Sequence, residues 1–588
     1  MIPDREVWIE MRDGVRLAAD VYRPDGQTEP APTILVRTTY DKSNPDPDLE
    51  PERLAAHGYV VVIQDVRGRY KSEGDFYHGV NEVTDGDDTL SWIAAQPWSN
   101  GKIGMTGISY LAAVQTAAAC SGNEHLRSLL HIFAPADYYK CGHRQGGNAA
   151  LYMVPITFMF AATSKEAQSD PVLKATCEAA FANSEAWLAR LPLKRGMNPL
   201  SRAPSIESWL LDIMGHPDYG AFWTNVVLWQ PCEYAARHAD IPSYFVGGWY
   251  DMYREEEFYE LLAPTKHGPV RLLIGPWTHL NFHVPSDTSA GDVDFGADAA
   301  FGPEELFALQ LEWFDATLKG TPPDEDAPPV RIFVMGGGDG HRTPEGRLYH
   351  GGRWRSEWEW PPARRTETPY FLYGDGTLRE RAPEEDLPTR FISDPRDPVP
   401  TIGGVHYFLK PDWDLYVPYG PQDQCEPGGL PLSSRHDVVS FQTPPLPADL
   451  EITGTPRVIL WASSSAADTD IVARLIDVYP PNDDYPGGYA MNLSEGILRL
   501  RYRESFSTPV PMVPGELYRV EIELYATSNL FQRGHRIRLD IAGSSFPAYD
   551  VNANTGGPLL DAREPPVTAI NSVHHDHEHP SQLVVPVV

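Results

Sequence analysis

Serine is a poor nucleophile until a neighbouring base takes its proton, so a serine that does chemistry must be presented by the fold and supplied with a base. The run Lys102-Ile-Gly-Met-Thr-Gly107-Ile-Ser109-Tyr110 presents one: a short apolar strand, a Gly-x-Ser turn, then an Ala-rich helix over Tyr110–Ala119. This is the setting of a nucleophile elbow, a strained strand-to-helix turn that exposes the hydroxyl and tolerates only small neighbours. Gly107 meets that demand, although Leu111 stands where Gly-x-Ser-x-Gly would end. Two partners follow in chain order. Residues 243–246 read as a strand that runs through Gly247-Gly-Trp-Tyr into Asp251, and residues 270–274 as a strand that runs through Gly275-Pro-Trp-Thr into His279. A carboxylate that holds an imidazole, and an imidazole that takes a serine proton, perform acyl transfer. Each of the three stands just past the carboxyl end of a strand, where sites in parallel sheets form.

The elements that would hold these residues alternate strand with helix. Residues 33–37 (TILVR), 59–64 (YVVVIQ), 102–106 (KIGMT) and 128–133 (SLLHIF) are short apolar runs suited to strands buried on both faces. Residues 88–96 have helical spacing, with Leu90, Ile93 and Ala94 on one face, and stop at Pro97. That rhythm predicts an α/β fold with a parallel sheet covered on both faces. From about 140 to 239 helical periodicity replaces the strands, notably over 165–191 and 206–214, which predicts an insertion. A helix over 304–318 closes the α/β domain. Beyond about 327, turn residues are dense and period-2 alternation sets in, as in Val520-Glu-Ile522-Glu-Leu524 and over 457–461, 497–502 and 536–541. Strands with one dry and one wet face read this way, and many of them predict a β-sandwich, with a long loop over 418–432. The predicted division is 1–138 and 241–345 for the α/β domain, 139–240 for the helical insertion and 346–588 for the sandwich.

The 588 residues carry 48 basic and 81 acidic side chains, a formal net charge of −33. Nucleic acid and anionic membranes are poor partners for such a chain, because both call for a basic footprint. No run approaches the ~20 apolar residues of a membrane span. The N-terminus, MIPDREVWIEMRDG, lacks the apolar core of a signal peptide, so a cytoplasmic location is expected. The five cysteines are scattered without a CxxC pair, which fits reduced thiols better than disulfides or a zinc site. Met335-Gly-Gly-Gly-Asp-Gly340 lacks the GK[ST] of a phosphate loop and is expected to be a turn. Asp468-Thr-Asp470 is also expected to be a turn, Asp65 and Arg67 an ion pair near the sheet edge, and Tyr152, Met153, Phe158 and Phe160 the core of the inserted helices.

These motifs resemble the cocaine esterase-like, X-prolyl dipeptidyl peptidase-type serine hydrolases over nearly the whole chain. The most specific stretch runs from Asp85 through Trp92, Pro97-Trp98 and Ser109-Tyr110 to Ala112; Asp65-Val-Arg67-Gly68 to Gly74, Gly248-Trp-Tyr-Asp251 and Gly275-Pro-Trp277-Thr-His279 are also similar to family motifs. Ala112 replaces the last glycine of the family's GxSYxG, the smallest possible change. The resemblance implies an α/β-hydrolase domain with a helical cap insertion and a C-terminal jelly-roll, galactose-binding-like β-sandwich. It implies a triad of Ser109, Asp251 and His279, and an oxyanion hole made by the backbone N–H of Tyr110 and the phenol of Tyr40. It implies no metal or organic cofactor, and gives the His575-x-x-x-His579-Pro run turn and packing duties. Family members that recognise an amine need carboxylates to hold a substrate ammonium. Tyr253 and Arg254, just beyond Asp251, supply none, and an aromatic Tyr253 suits a neutral acyl group. Glu255–Glu257 are expected to be helix N-terminal acids stabilised by the macrodipole. The expected activity is hydrolysis of small-molecule carboxylic esters with a neutral acyl group, by a chain free to form a homo-oligomer. Two alternatives remain: an amidase, dipeptidyl peptidase or α-amino-acid ester hydrolase on the same triad, and a non-catalytic carbohydrate-binding protein.

Overall fold

The computed structural model describes residues 3–44, 49–280, 287–320, 327–411, 415, 417, 419–426, 428–557 and 565–588. The strands that carry the site are β1 (Asp4–Glu10), β2 (Arg16–Tyr22), β3 (Ala31–Thr38), β4 (Val60–Asp65), β5 (Ser99–Ile108), β6 (Leu126–Ile132), β7 (Ser243–Tyr250), β8 (Val270–Thr278) and β9 (Val330–Met335). They lie side by side in the order β1-β2-β4-β3-β5-β6-β7-β8-β9. The first two pairings are antiparallel and every later one is parallel. All six residues of β4 are buried, as its continuous apolar run requires of a strand covered on both faces.

Five helices matter for the site: α1 (Glu82–Ala94), α2 (Tyr110–Ala119), α3 (Met153–Ala162), α4 (Glu255–Leu262) and α5 (Pro303–Leu318). Every residue of α2 is buried, which its small side chains permit. Helix α5 lies so close to β5 that a Cβ at Gly104 would stand 2.7 Å from the Phe314 ring. α1 begins six residues before the periodic run at 88. The stretch 165–191, read as continuously helical, is divided into Lys165–Ser169, Pro171–Ala182 and Ser184–Leu188. Pro171 cannot continue the preceding helix, and Asp170 caps the next by accepting the N–H groups of Val172 and Leu173 at 3.1 Å.

β9 also pairs antiparallel with Gly352–Glu357 and touches Thr527–Phe531. The C-terminal part holds two antiparallel arrays. In one, Val438–Gln442, Arg536–Ala542, Asp470–Tyr479 and Tyr489–Arg499 lie side by side. The other is built around Arg457–Ser464, which pairs with Tyr518–Glu523, Ala569–His574 and Gln582–Val587. Val458 and Leu460 from one array share a core with Leu475 and Leu539 from the other.

Two sequence expectations need correction. Asp65 and Arg67 do not pair. Arg67 binds Asp85 (2.7 Å) and Asp13 (2.8 Å), whereas Asp65, at the end of β4, accepts the backbone N–H of Lys42 at 2.7 Å and of Lys71 at 3.3 Å. Asp468-Thr-Asp470 is not a turn either: it leads into the strand Asp470–Tyr479 with both carboxylates buried, Asp470 on Arg499 at 2.8 Å and Asp468 on Arg501 at 2.7 Å. In the His574–His579 run, Asp576 makes the turn by accepting the N–H groups of Glu578 and His579 at 2.9 Å. Pro418 and Pro427, within the expected long loop, lie outside the described residues. Among the described residues no helix is long and apolar enough to cross a membrane.

Candidate active site

Ser109 sits between β5 and α2 with φ 60° and ψ −119°. Such a backbone typically costs a non-glycine residue about 1–3 kcal/mol and persists only where its surroundings hold it. Here the Ser109 N–H donates to the Ile132 carbonyl at 2.9 Å, and the Ser109 carbonyl accepts from Ala112 (2.9 Å) and Ala113 (3.0 Å). Gly107 has φ +147°, and a Cβ on it would stand 2.4 Å from the Leu111 Cβ, so the turn closes only over glycine. Ala112 is buried in the position of the missing last glycine. The N–H of Tyr110 belongs to the first helical residue, which has no intrahelical acceptor. Its phenol points away, donating to Glu82 Oε1 at 2.7 Å, and Glu82 in turn binds the buried guanidinium of Arg37 at 2.5 Å. This network fixes the N-terminus of α2 from below. Neither Arg37 nor Glu82 carries a sequence signal that marks it.

Asp251 and His279 follow β7 and β8, the second and third strands beyond β5, on the same edge of the sheet as Ser109. Both are buried, and His279 Nδ1 lies 2.5 Å from Asp251 Oδ2. The other carboxylate oxygen accepts the Tyr253 N–H at 2.6 Å, so Asp251 is aimed by the turn that follows it. Aromatic rings enclose the His279 imidazole. Tyr407 stacks on it (5.3 Å, 12°), Tyr253 meets it edge-on (5.4 Å, 82°) and Phe133 lies against it (5.6 Å). The His279 backbone N–H donates to the Tyr419 hydroxyl at 2.6 Å.

Tyr40 stands on the loop after β3 with 42% of its surface exposed, its ring edge-on to Phe160 of α3 at 5.9 Å. Buried Arg69 ties this loop to α3, donating to the Thr39 carbonyl (3.1 Å), the Phe160 carbonyl (3.0 Å) and the Thr163 hydroxyl (2.8 Å). Tyr253 is buried, its ring edge-on to Tyr138 at 5.7 Å. Arg254 turns away from the site to Glu257 (2.7 Å) and Glu523 (2.6 Å).

The acids of α4 are not all solvated N-terminal charges. Glu255 is 1% exposed, its carboxyl shut away from solvent. Its carboxyl fills the space a side chain at Gly247 would need, with Oε2 2.7 Å from the position of a Cβ there. Burial, then the charges of Asp251 and Glu256, hold Glu255 protonated far above the ordinary carboxylate range, and burial pushes Glu256 up to about 8. Unfolded, Glu255 loses its proton near pH 4–5; folded, it keeps it. Above that range the unfolded chain binds fewer protons, so this residue makes stability fall as pH rises. Glu255→Gln removes that slope. Its stability relative to wild type in urea is therefore expected to increase from pH 5 to pH 8, and an equal difference at both pH values would show that Glu255 is ionised in the fold.

Comparison with known proteins draws on both halves of the chain. Residues 13–281 match the X-Pro dipeptidyl-peptidase (S15 family), and residues 324–584 match the X-Pro dipeptidyl-peptidase C-terminal non-catalytic domain. Cocaine esterase from Rhodococcus sp. (strain MB1 Bresler) is 34% identical over 601 residues, covering 99% of this chain and 98% of that protein. Among solved structures, an aminopeptidase from a marine sediment Thaumarchaeota archaeon aligns with a TM-score of 0.81 at 26% identity, covering 100% of this chain and 96% of that one. An α-amino acid ester hydrolase aligns with a TM-score of 0.77 at 28% identity and the same coverage. Full-length likeness at this identity, over a sheet edge built as described, makes the chain a serine ester hydrolase of the cocaine esterase-like, X-Pro dipeptidyl-peptidase family.

Proposed function

We propose that the chain hydrolyses carboxylic esters with neutral acyl groups, using Ser109 as nucleophile, His279 as general base and acid, and Asp251 as its orienting carboxylate. The observation that carries this reading is the buried 2.5 Å contact between His279 and Asp251 on the sheet edge where Ser109 is held in its strained turn. His279 Nε2 takes the Ser109 proton as Oγ attacks the ester carbonyl. Asp251 holds the ring by Nδ1–H and stabilises the imidazolium. Negative charge develops on the carbonyl oxygen, where the Tyr110 N–H and Tyr40 O–H donate to it. The tetrahedral intermediate collapses, His279 protonates the departing alcohol, and a water activated by the same imidazole releases the acid and restores Ser109.

On this reading residues 139–240 form a cap over the pocket, which the contact of α3 with Tyr40 supports. Residues 346–588 form a jelly-roll, galactose-binding-like sandwich, supported by the two arrays that share one core. Tyr253 lines the acyl side. A substrate ammonium would there meet an aromatic ring and no carboxylate from residues 253 and 254, since Arg254 turns away to two glutamates, and an unpaired buried charge carries a desolvation penalty of several kcal/mol. Benzoyl and short aliphatic esters are expected to exceed α-aminoacyl esters in kcat/KM. Tyr253→Ala should weaken benzoyl esters more than acetyl esters, since the lost contact area belongs to the larger group. The second reading, an α-aminoacyl ester hydrolase or peptidase, draws support from the aminopeptidase and α-amino acid ester hydrolase likenesses. Preference for phenylglycine methyl ester or Gly-Pro-anilide over matched neutral esters would establish it in place of the first.

A further inference from the structure

Past the end of β8 the chain leaves the sheet, and the His279 N–H loses the ladder acceptor that the strand residues have. A buried N–H in that position needs another partner. It comes from residue 419, 140 positions away and within the half of the chain that matches a non-catalytic domain. Tyr419 is 6% exposed and sits in the connection between the strands Thr389–Ser393 and Val438–Gln442. That connection is fastened directly after the tyrosine. Gly404 and Gly420 exchange two backbone hydrogen bonds at 2.9 Å, and the Pro421 carbonyl accepts the Asp292 N–H at 3.0 Å.

The approach is close enough to require glycine on both segments. A Cβ at Gly420 (φ +78°) would stand 3.0 Å from Thr278 Cγ2, next to His279. A Cβ at Gly291 (φ +52°) would stand 2.3 Å from the Pro421 carbonyl oxygen. The same connection supplies Tyr407, whose ring stacks on His279 and meets Tyr419 at 5.8 Å. The imidazole is thus held from the C-terminal half twice, by its backbone through Tyr419 and by its face through Tyr407.

We infer that Tyr419 is a positioning residue of the hydrolytic site: its hydroxyl fixes the backbone of His279, and through it the alignment of the imidazole between Asp251 and Ser109. The inference rests on the reading of His279 as the catalytic base. The geometry of such a base is demanding, since a misplacement of about 1 Å can lower a rate about 10²-fold. The half of the chain matched as non-catalytic would then contribute a group on which turnover depends.

The test is Tyr419→Phe, which removes one oxygen and keeps the ring. On the folded variant kcat is expected to fall about 10–100-fold with KM within about twofold of wild type, and fluorophosphonate labelling of Ser109 should slow in parallel. The loss should sit in kcat and in the labelling rate, with KM and Tm close to wild type. Wild-type kcat would overturn the inference. So would a lower kcat that comes with a reduced Tm, which would assign the hydroxyl to fold stability alone. His279→Ala, run beside it, separates the two levels: its inactivity together with an unaffected Tyr419→Phe would reject only the role of Tyr419, whereas an active His279→Ala would reject the catalytic reading itself.

Discussion

Ester turnover by Ser109→Ala is expected to fall about 10⁴–10⁶-fold with the fold intact, the usual loss when a triad member is removed. The substitution deletes one oxygen from a half-buried side chain. It leaves the backbone bonds of residue 109 to Ile132, Ala112 and Ala113 in place. Serine and alanine both carry a Cβ, so the strained φ of 60° is no more costly in the variant. Melting temperature should therefore stay close to wild type while kcat collapses. A fluorophosphonate probe should label the wild type and spare the variant. Turnover near the wild-type rate would move the nucleophile elsewhere and with it the whole site.

For Tyr40→Phe the expected result is a drop in kcat of about 10²–10³-fold with little change in KM. One donor to a developing alkoxide is typically worth about 3–4 kcal/mol in the transition state and far less to the neutral carbonyl. The ring remains to pack on Phe160, and the loop remains tied by Arg69 through the Thr39 carbonyl, so geometry should persist without the hydroxyl. An unchanged kcat would reduce Tyr40 to a packing role and leave the second oxyanion donor to another group.

The site was legible in the sequence where chemistry follows local order. Ser109, Asp251 and His279 each come directly after an apolar run, and such runs are conspicuous because strands covered on both faces have no polar side to interrupt them. The hairpin of β1 and β2 offers no such run although Asp13-Gly14 marks its turn: β1 carries four charged residues in seven, and β2 opens on Arg16 and holds Asp20 within it. The partners of the site residues were illegible for a different reason. Arg37, Glu82, Tyr407 and Tyr419 act on residues 28 to 140 positions distant, and nothing in the residue types around them announces the meeting. The supposed Asp65–Arg67 pair shows the opposite error, where nearness in sequence stood in for nearness in space. The end of β4 turns Asp65 inward onto backbone N–H groups and sends Arg67 to Asp85 and Asp13. Glu255 combines both difficulties, since an acid at a helix N-terminus looks ordinary until the fold buries it against Gly247.

Strand β9 has a consequence for synthesis on the ribosome. It covers the outer side of β8, at Leu272, Leu273 and Ile274, yet its residues are made after some fifty further positions have been translated. At about 5–20 residues per second, that leaves the β8 side of the sheet unpaired for roughly 3–10 s after the strand itself has been made. An uncovered apolar strand edge is a template for pairing with another chain. Slow translation through the segment between them, or many ribosomes on one message, should therefore favour aggregation of the nascent chain. A truncated product that stops before Val330 should be insoluble even though it holds Ser109, Asp251 and His279.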